Sequence, residues 1–308
     1  MTFRGGSNNY LITIDDPSSI ERNEVIDIDQ TVKDIQRAWN GKVDIISYNC
    51  LLEQCCLRAM EYSQRDESMT VSLFPVPYPW NFTSVRIKRL VDANGGVSRI
   101  HGLDELGRLA HIIKQTNEVD NKTKKVQLID DGAHSGVTIC SVLRYLSRHE
   151  INVNRLILGV VPFKTRVYLQ HEFPDIEVVI VDREYDFVDW TSTSDFSPLS
   201  DTGGRLMDGS LRRIPYLVPF VNPSTWSRWT GLDKRNAIKF SYRRLLETLI
   251  NTKDDQYSDV TTLSYLVNGI RVGCSDLEVT TLRAVSNAVG ILERDYADEL
   301  KDQDTTGY

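Results

Sequence analysis

The segment from Val126 to Val161 limits what this chain can fold into more sharply than any other. An apolar run, Val126-Gln-Leu-Ile129, leads into a short acidic, glycine-containing turn. Val137 to Arg148 then carries Ile139, Val142, Leu143 and Leu146 on one helical face, and Leu156 to Val161 is a second continuous apolar run. Two short buried strands joined by an amphipathic helix make a parallel βαβ unit, because a parallel neighbour is reached only through a long crossover. Parallel sheets are covered on both faces. The chain is therefore expected to be an α/β protein built on a twisted parallel sheet flanked by helices, with Ile176 to Val181 as a further strand.

The remaining pattern divides the chain. Residues 1–30 are acidic and irregular and are expected to form a loosely packed arm. Residues 31–225 are assigned to the core. It includes a short helix over Asp29 to Asn40, a longer helix from Ile45 to Tyr62, a strand from Thr70 to Val76, a turn near Asn94 to Gly96, a helix from Leu103 to Thr116 and a lysine-rich link from Asn117 to Lys125. Within it, Phe74-Pro-Val-Pro-Tyr-Pro-Trp80 cannot be helical, because three prolines remove amide donors and push their predecessors into extended backbone. An irregular hood is expected at about 183–225, including Asp195 to Arg205. Residues 226–308 read as a C-terminal helical extension with helices over Asp233–Ile250, Val260–Val272 and Asp276–Leu300. The last opens with a capping box, Ser275 to Glu278.

Composition narrows the function classes. The 308 residues are 41% hydrophobic and 26% charged, ordinary for a globular chain and unlike disordered or collagen-like ones. No apolar run approaches the roughly 20 residues of a bilayer span, and the start lacks a signal-peptide core, so a cytoplasmic protein with no membrane partner is expected. A net charge of −7 argues against a main task of neutralising duplex phosphates, so nucleic acid is not an expected partner. The five cysteines have no framework spacing and are expected to be reduced packing residues; Cys50, Cys55 and Cys56 with His101 and His111 do not follow the spacing of a zinc site.

The chemistry concentrates in the turn Asp130-Asp131-Gly132-Ala133-His134-Ser135-Gly136-Val137-Thr138. Carboxylates at the carboxyl end of a parallel strand face the crevice where α/β sheets bind ligands. The helix that follows points its amides and positive dipole end into the same space. Those amides, with the hydroxyls of Ser135 and Thr138, suit a phosphate. The carboxylates suit sugar hydroxyls, or Mg²⁺ held directly or through water.

This pattern resembles the phosphoribosyl pyrophosphate (PRPP) motif of type I phosphoribosyltransferases. There, apolar strand residues precede two acids, three variable residues, Ser or Thr, Gly, one variable residue and Thr. The match spans about 13 residues, and Asp130, Asp131, Ser135, Gly136 and Thr138 fill every constrained position. The resemblance implies a PRTase-like fold that binds PRPP or another ribose 5-phosphate ligand. It implies a pentosyl transfer to a nitrogen acceptor with release of pyrophosphate, and Mg²⁺ as cofactor. Asp130 and Asp131 would hold the ribose hydroxyls and Mg²⁺. Gly132, Ala133, Ser135, Gly136, Val137 and Thr138 would line the substrate, and His134 would stand where purine-salvage members carry a proton-transferring acid. Phe163 and Lys164, after the second strand, fall where such enzymes contact the base. No copy of the family's pyrophosphate loop is found; the proline-rich loop near Tyr78 and the basic group Arg86, Lys88 and Arg89 are its candidate replacements.

Two rival functions stay open: a non-catalytic PRPP or nucleotide sensor, in a regulatory or conflict system, that engages a protein partner or forms a homodimer, and a Rossmann-type methyltransferase using Asp130, Gly132 and Gly136 for S-adenosylmethionine. A receiver domain lacks its later Asp and Lys. An Asp-Gly hairpin turn is opposed by the helical period after Val137.

Overall fold

The computed structural model describes residues 9–14, 43–76, 80, 82–91, 97–120, 125–185, 187–192, 205–207 and 213–214. The helix expected over 29–40, the turn at 94–96, most of the hood and all of the C-terminal extension lie outside them. The chain divides into two compact units, one of which contains Ile46–Leu90 and Arg99–Trp190 and carries everything argued below. In the other, Asn9–Ile14 (β1) is a strand with Leu11 and Thr13 fully buried. These residues are thus not part of a loose arm, since two inward positions two residues apart give a strand a buried face. In that unit Arg205–Met207 and Arg213–Ile214 also pair antiparallel.

The first unit is built on five strands that all pair in parallel: Met69–Ser72 (β3), Thr83–Ser84 (β4), Val126–Gly132 (β7), Val153–Pro162 (β8) and Glu177–Tyr185 (β9), numbered with β1, Val43–Ser47 (β2), Lys88–Val91 (β5) and Val97–His101 (β6). Their order across the sheet is β4-β3-β7-β8-β9. The α/β expectation holds. Four helices accompany them: Tyr48–Asp66 (α1), Leu103–Asp120 (α2), Val137–Arg148 (α3) and Phe163–Glu172 (α4).

Strand alternation sorts the core into two layers. Ile129 and Ile157 are buried with Leu52, Cys55, Cys56 and Ala59 of α1. On the other face Leu128, Leu156, Leu158 and Val178 are buried with Leu106 and Ile113 of α2, Ile139, Val142, Leu143 and Leu146 of α3, and Leu169 of α4. Each such aliphatic side chain contributes about 1.5–3 kcal/mol on full burial, so these layers hold the sheet against its entropy cost.

Several boundaries differ from expectation for local reasons. The helix expected from Ile45 begins at Tyr48, because Ser47 is extended (φ −68°, ψ 122°) and its hydroxyl caps the Cys50 amide at 3.4 Å. The strand expected to reach Val76 ends at Ser72, whose Oγ donates to the Phe74 carbonyl at 2.7 Å and accepts from the Phe74 amide at 3.2 Å. Helix α3 has the expected limits. Helix α4 has no counterpart in the sequence reading: only Thr165 and Leu169 of its residues are buried, too few for a visible apolar stripe. Among the described residues no helix is long and apolar enough to cross a membrane.

Candidate functional site

From β3 the chain passes to β4 on one side, whereas β7, β8 and β9 progress to the other, so the order reverses between β3 and β7. At such a reversal the loops at the carboxyl ends diverge and leave a crevice, the general ligand position of open parallel sheets. Two loops leave the sheet there. One begins at Leu73 in the proline-rich segment; its described residues pack Phe74 into the α1 layer and stack Trp80 on Phe82 with centroids 6.2 Å apart. The other is 133–136, the centre of the acidic motif.

Strand β7 runs three residues past its expected end. Asp130 pairs with Leu158 and Gly132 with Val160, and the Ala133 amide then donates to the Val160 carbonyl at 3.0 Å. The paired acids are therefore strand residues whose side chains leave opposite faces of the sheet. Asp131 turns to the α1 side, where its Oδ2 accepts from the Tyr48 hydroxyl at 2.9 Å; Asp130 Oδ1 accepts from the Asp131 amide at 3.1 Å. Both carboxylates are half-buried. Beneath them the Cys55 thiol donates to the Asp130 carbonyl at 3.8 Å. Burial, then the negative charge of Asp131 and weaker effects of Cys56, Asp130 and Asp182, push this thiol well above its ordinary value, so it stays a neutral donor. Burial likewise raises Cys56 to about 11. Cys55, Cys56 and Cys140 are buried packing residues, and Cys50 is exposed.

Gly159 allows this end of the sheet to close. A Cβ there would lie 2.3 Å from the Asp131 carbonyl oxygen and 2.8 Å from Leu51, and the β8–β9 register shifts between Leu158 and Val160. Only glycine tolerates that approach.

The loop turns into α3 through Gly136, the N-cap, at φ 74° and ψ −9°, a left-handed conformation that favours glycine. The first helical bond runs from the Cys140 amide to the Gly136 carbonyl at 2.9 Å, so the amides of Val137, Thr138 and Ile139 precede the ladder and open toward the helix N-terminus. Ser135 and Val137 are exposed, Thr138 and His134 half-buried, and Ala133 is buried. The His134 ring stacks on Phe187 with centroids 5.8 Å apart, and its carbonyl accepts from the buried Thr165 hydroxyl. Gly132 ends β7 beside the Trp190 ring.

Phe163 and Lys164 open α4 directly after β8, and both are exposed. They stand at the same end of the sheet as the loop, immediately before Thr165, whose hydroxyl bonds the loop backbone. Of the cations named as a replacement pyrophosphate site, Arg86 is exposed and Lys88 half-buried; the side chain of Arg89 and all of Tyr78 lie outside the described residues. Among the described residues no group of three or more His, Cys, Asp or Glu side chains is placed to hold a metal. Because Asp130 and Asp131 leave opposite faces of the sheet, they do not present a paired site; a single one of these carboxylates would suffice for Mg²⁺, whose shell phosphates and waters complete.

Sequence reasoning missed Tyr48, Gly159, Thr165 and Phe187. Tyr48 lies 83 residues from its partner Asp131, and no local signal links them. The parallel sheet and its order reversal define an α/β protein, with two acids at the end of its central strand and a short loop leading to a helix N-terminus. No protein-family model matches the chain, and no curated protein matches it.

Proposed function

We propose that this chain is a phosphoribosyltransferase-like protein that binds Mg²⁺-PRPP, or another ligand with a ribose 5-phosphate group, at the carboxyl end of β7. It would transfer the phosphoribosyl group to a nitrogen acceptor with release of pyrophosphate. The observation that carries the reading is the position of the loop. Residues 133–136 leave the sheet where the strand order reverses, and they end on a left-handed Gly136 after which three amides precede the first helical bond.

The amides of 137–139 and the hydroxyls of Ser135 and Thr138 bind the phosphate, where the helix dipole favours negative charge. Asp130 and Asp131 orient the ribose through its hydroxyls and stabilise the positive charge that develops on the ring as the leaving group departs. His134, with a near-neutral ordinary pKa, takes the nucleophile's proton. Holding the remote phosphate fixes the reacting carbon in place. Either Asp130 or Asp131 would hold Mg²⁺ through its carboxylate, and the ion would offset the charge of the phosphates.

One observation favours the second reading, a sensor that binds without transfer. The loop after β3, which flanks β7 at the reversal, contains no charged residue from Leu73 to Phe82, so it offers pyrophosphate no cation. The methyltransferase reading needs an acid at the end of β8, where Pro162, Phe163 and Lys164 stand.

Isothermal titration of the full chain with Mg²⁺-PRPP, followed by a pyrophosphate-release assay over a panel of bases, separates these. Binding with release supports transfer, and binding without release selects the sensor. The variant carrying both Asp130→Asn and Asp131→Asn is expected to lose binding beyond detection; wild-type affinity in that variant overturns the proposal.

A further inference from the structure

The phosphate loop is held from α4, a helix that contributes no residue to the motif. Thr165 is 3% exposed. Its hydroxyl donates to the carbonyl of His134, and its Cγ2 methyl would lie 3.3 Å from a Cβ placed on Gly136. One side chain therefore meets both ends of the tripeptide 134–136, its hydroxyl at the first residue and its methyl at the last. The peptide joining His134 to Ser135 is planar and trans, so its carbonyl and the following amide point to opposite sides. Fixing the carbonyl toward α4 aims the Ser135 amide away from α4. The half-buried His134 ring, stacked on Phe187, holds the same residue from the side-chain end.

We infer that Thr165 is a positioning residue for phosphate recognition: its buried hydroxyl sets the 134–135 peptide so that the Ser135 amide joins the amides of 137–139 as an anion donor. This rests on the ribose-phosphate reading above. A preset amide costs no reorganisation when the anion arrives, which is why a donor fixed before binding is worth more than a mobile one.

The hydroxyl and the methyl of Thr165 make opposite predictions, and two near-isosteric variants separate them. Thr165→Val keeps the methyl that faces Gly136 and removes the hydroxyl; Thr165→Ser keeps the hydroxyl and removes the methyl. Titration of the full chain with Mg²⁺-PRPP is expected to show about tenfold weaker binding by Thr165→Val and binding by Thr165→Ser within about twofold of wild type, the size of effect expected when a hydrogen bond that orders a charged-ligand site is lost. Packing alone predicts the reverse order, and that result, or equal affinity of all three proteins, overturns the inference. If Thr165→Val does not fold, Thr165→Ala against Thr165→Ser makes the same comparison, since these differ only in the hydroxyl; equal binding by the two overturns the inference. A wild-type chain that binds no Mg²⁺-PRPP removes the ribose-phosphate reading and this inference together, an outcome visible before any variant is made.

Discussion

The two ends of strands β7, β8 and β9 are both polar and are built on opposite principles. At the amino end Arg155, 4% exposed, donates to Asp66 at 2.7 Å, to Glu177 at 2.8 Å and to Gln127 Oε1 at 3.3 Å, and lies 3.7 Å over the Tyr62 ring. The Gln127 amide donates onward to the Ala59 carbonyl at 2.6 Å and to Thr70 at 2.7 Å. Around this β8 residue the partners come from α1, β3, β7 and β9, and the guanidinium's directions are occupied by protein. At the carboxyl end the acids are half-buried and the helix begins with amides ahead of its ladder. A satisfied polar cluster adds specificity to the fold, and an open one is available to a ligand. On the proposed function, the same sheet separates stability from recognition along the length of its strands.

That separation can be broken from either end. The largest effect on stability is expected from Arg155→Met, which leaves the buried Gln127 acceptor and the Glu177 carboxylate without their cation. Removing one partner of a buried ionic network costs about 3 kcal/mol, read as a lower urea midpoint. Affinity for Mg²⁺-PRPP should stay within about twofold in the folded fraction, and a large loss of affinity would show that the two ends are coupled. Gly159→Ala should reverse the order of sensitivity. Its new methyl meets the Asp131 carbonyl and Leu51, so about 1–3 kcal/mol of stability is lost to overpacking. Because the atom displaced belongs to Asp131, affinity should fall with it; full affinity in Gly159→Ala argues that the acids do not touch the ligand.

The smallest effect is a pH dependence confined to the closed end. Hydrogen bonds from Arg65, and then from Arg155, hold the Asp66 carboxyl at about 2, below its ordinary 3.8. Above pH 3.8 it is ionised whether the chain is folded or unfolded, and its stabilising contribution is complete. As the pH falls toward about 2 the unfolded chain takes up this proton first, so the contribution shrinks, and it is gone once the folded carboxyl is protonated too. Denaturation midpoints followed from pH 5 to 2 should fall more steeply in wild type than in Asp66→Asn. Equal slopes would place Asp66 outside the network.

Much of the fold was legible because the signals were local. The βαβ unit was visible in three apolar runs, and α3 kept its expected limits because its buried positions repeat at helical spacing. Helix α4 was invisible for the opposite reason, with two inward residues and an exposed remainder. The site divides in the same way. Asp130 through Thr138 form a contiguous motif, and Phe163 and Lys164 were placed at the same sheet end by the strand they follow. Tyr48, Gly159, Thr165 and Phe187 meet that motif from far along the chain, and nothing in their own neighbourhoods marks them.

The amino-acid order by itself determined a parallel α/β sheet and the presence of an acidic, glycine-containing turn ahead of a helix, since periodicity and backbone preference act over a few residues. Only the tertiary structure decided that the two acids point to opposite faces, that the strand order reverses beside them, and that a hydroxyl from α4 grips the loop backbone. Those relations depend on which strands pair and how their registers shift, and pairing is fixed by burial summed over the whole unit rather than by any local stretch of chain.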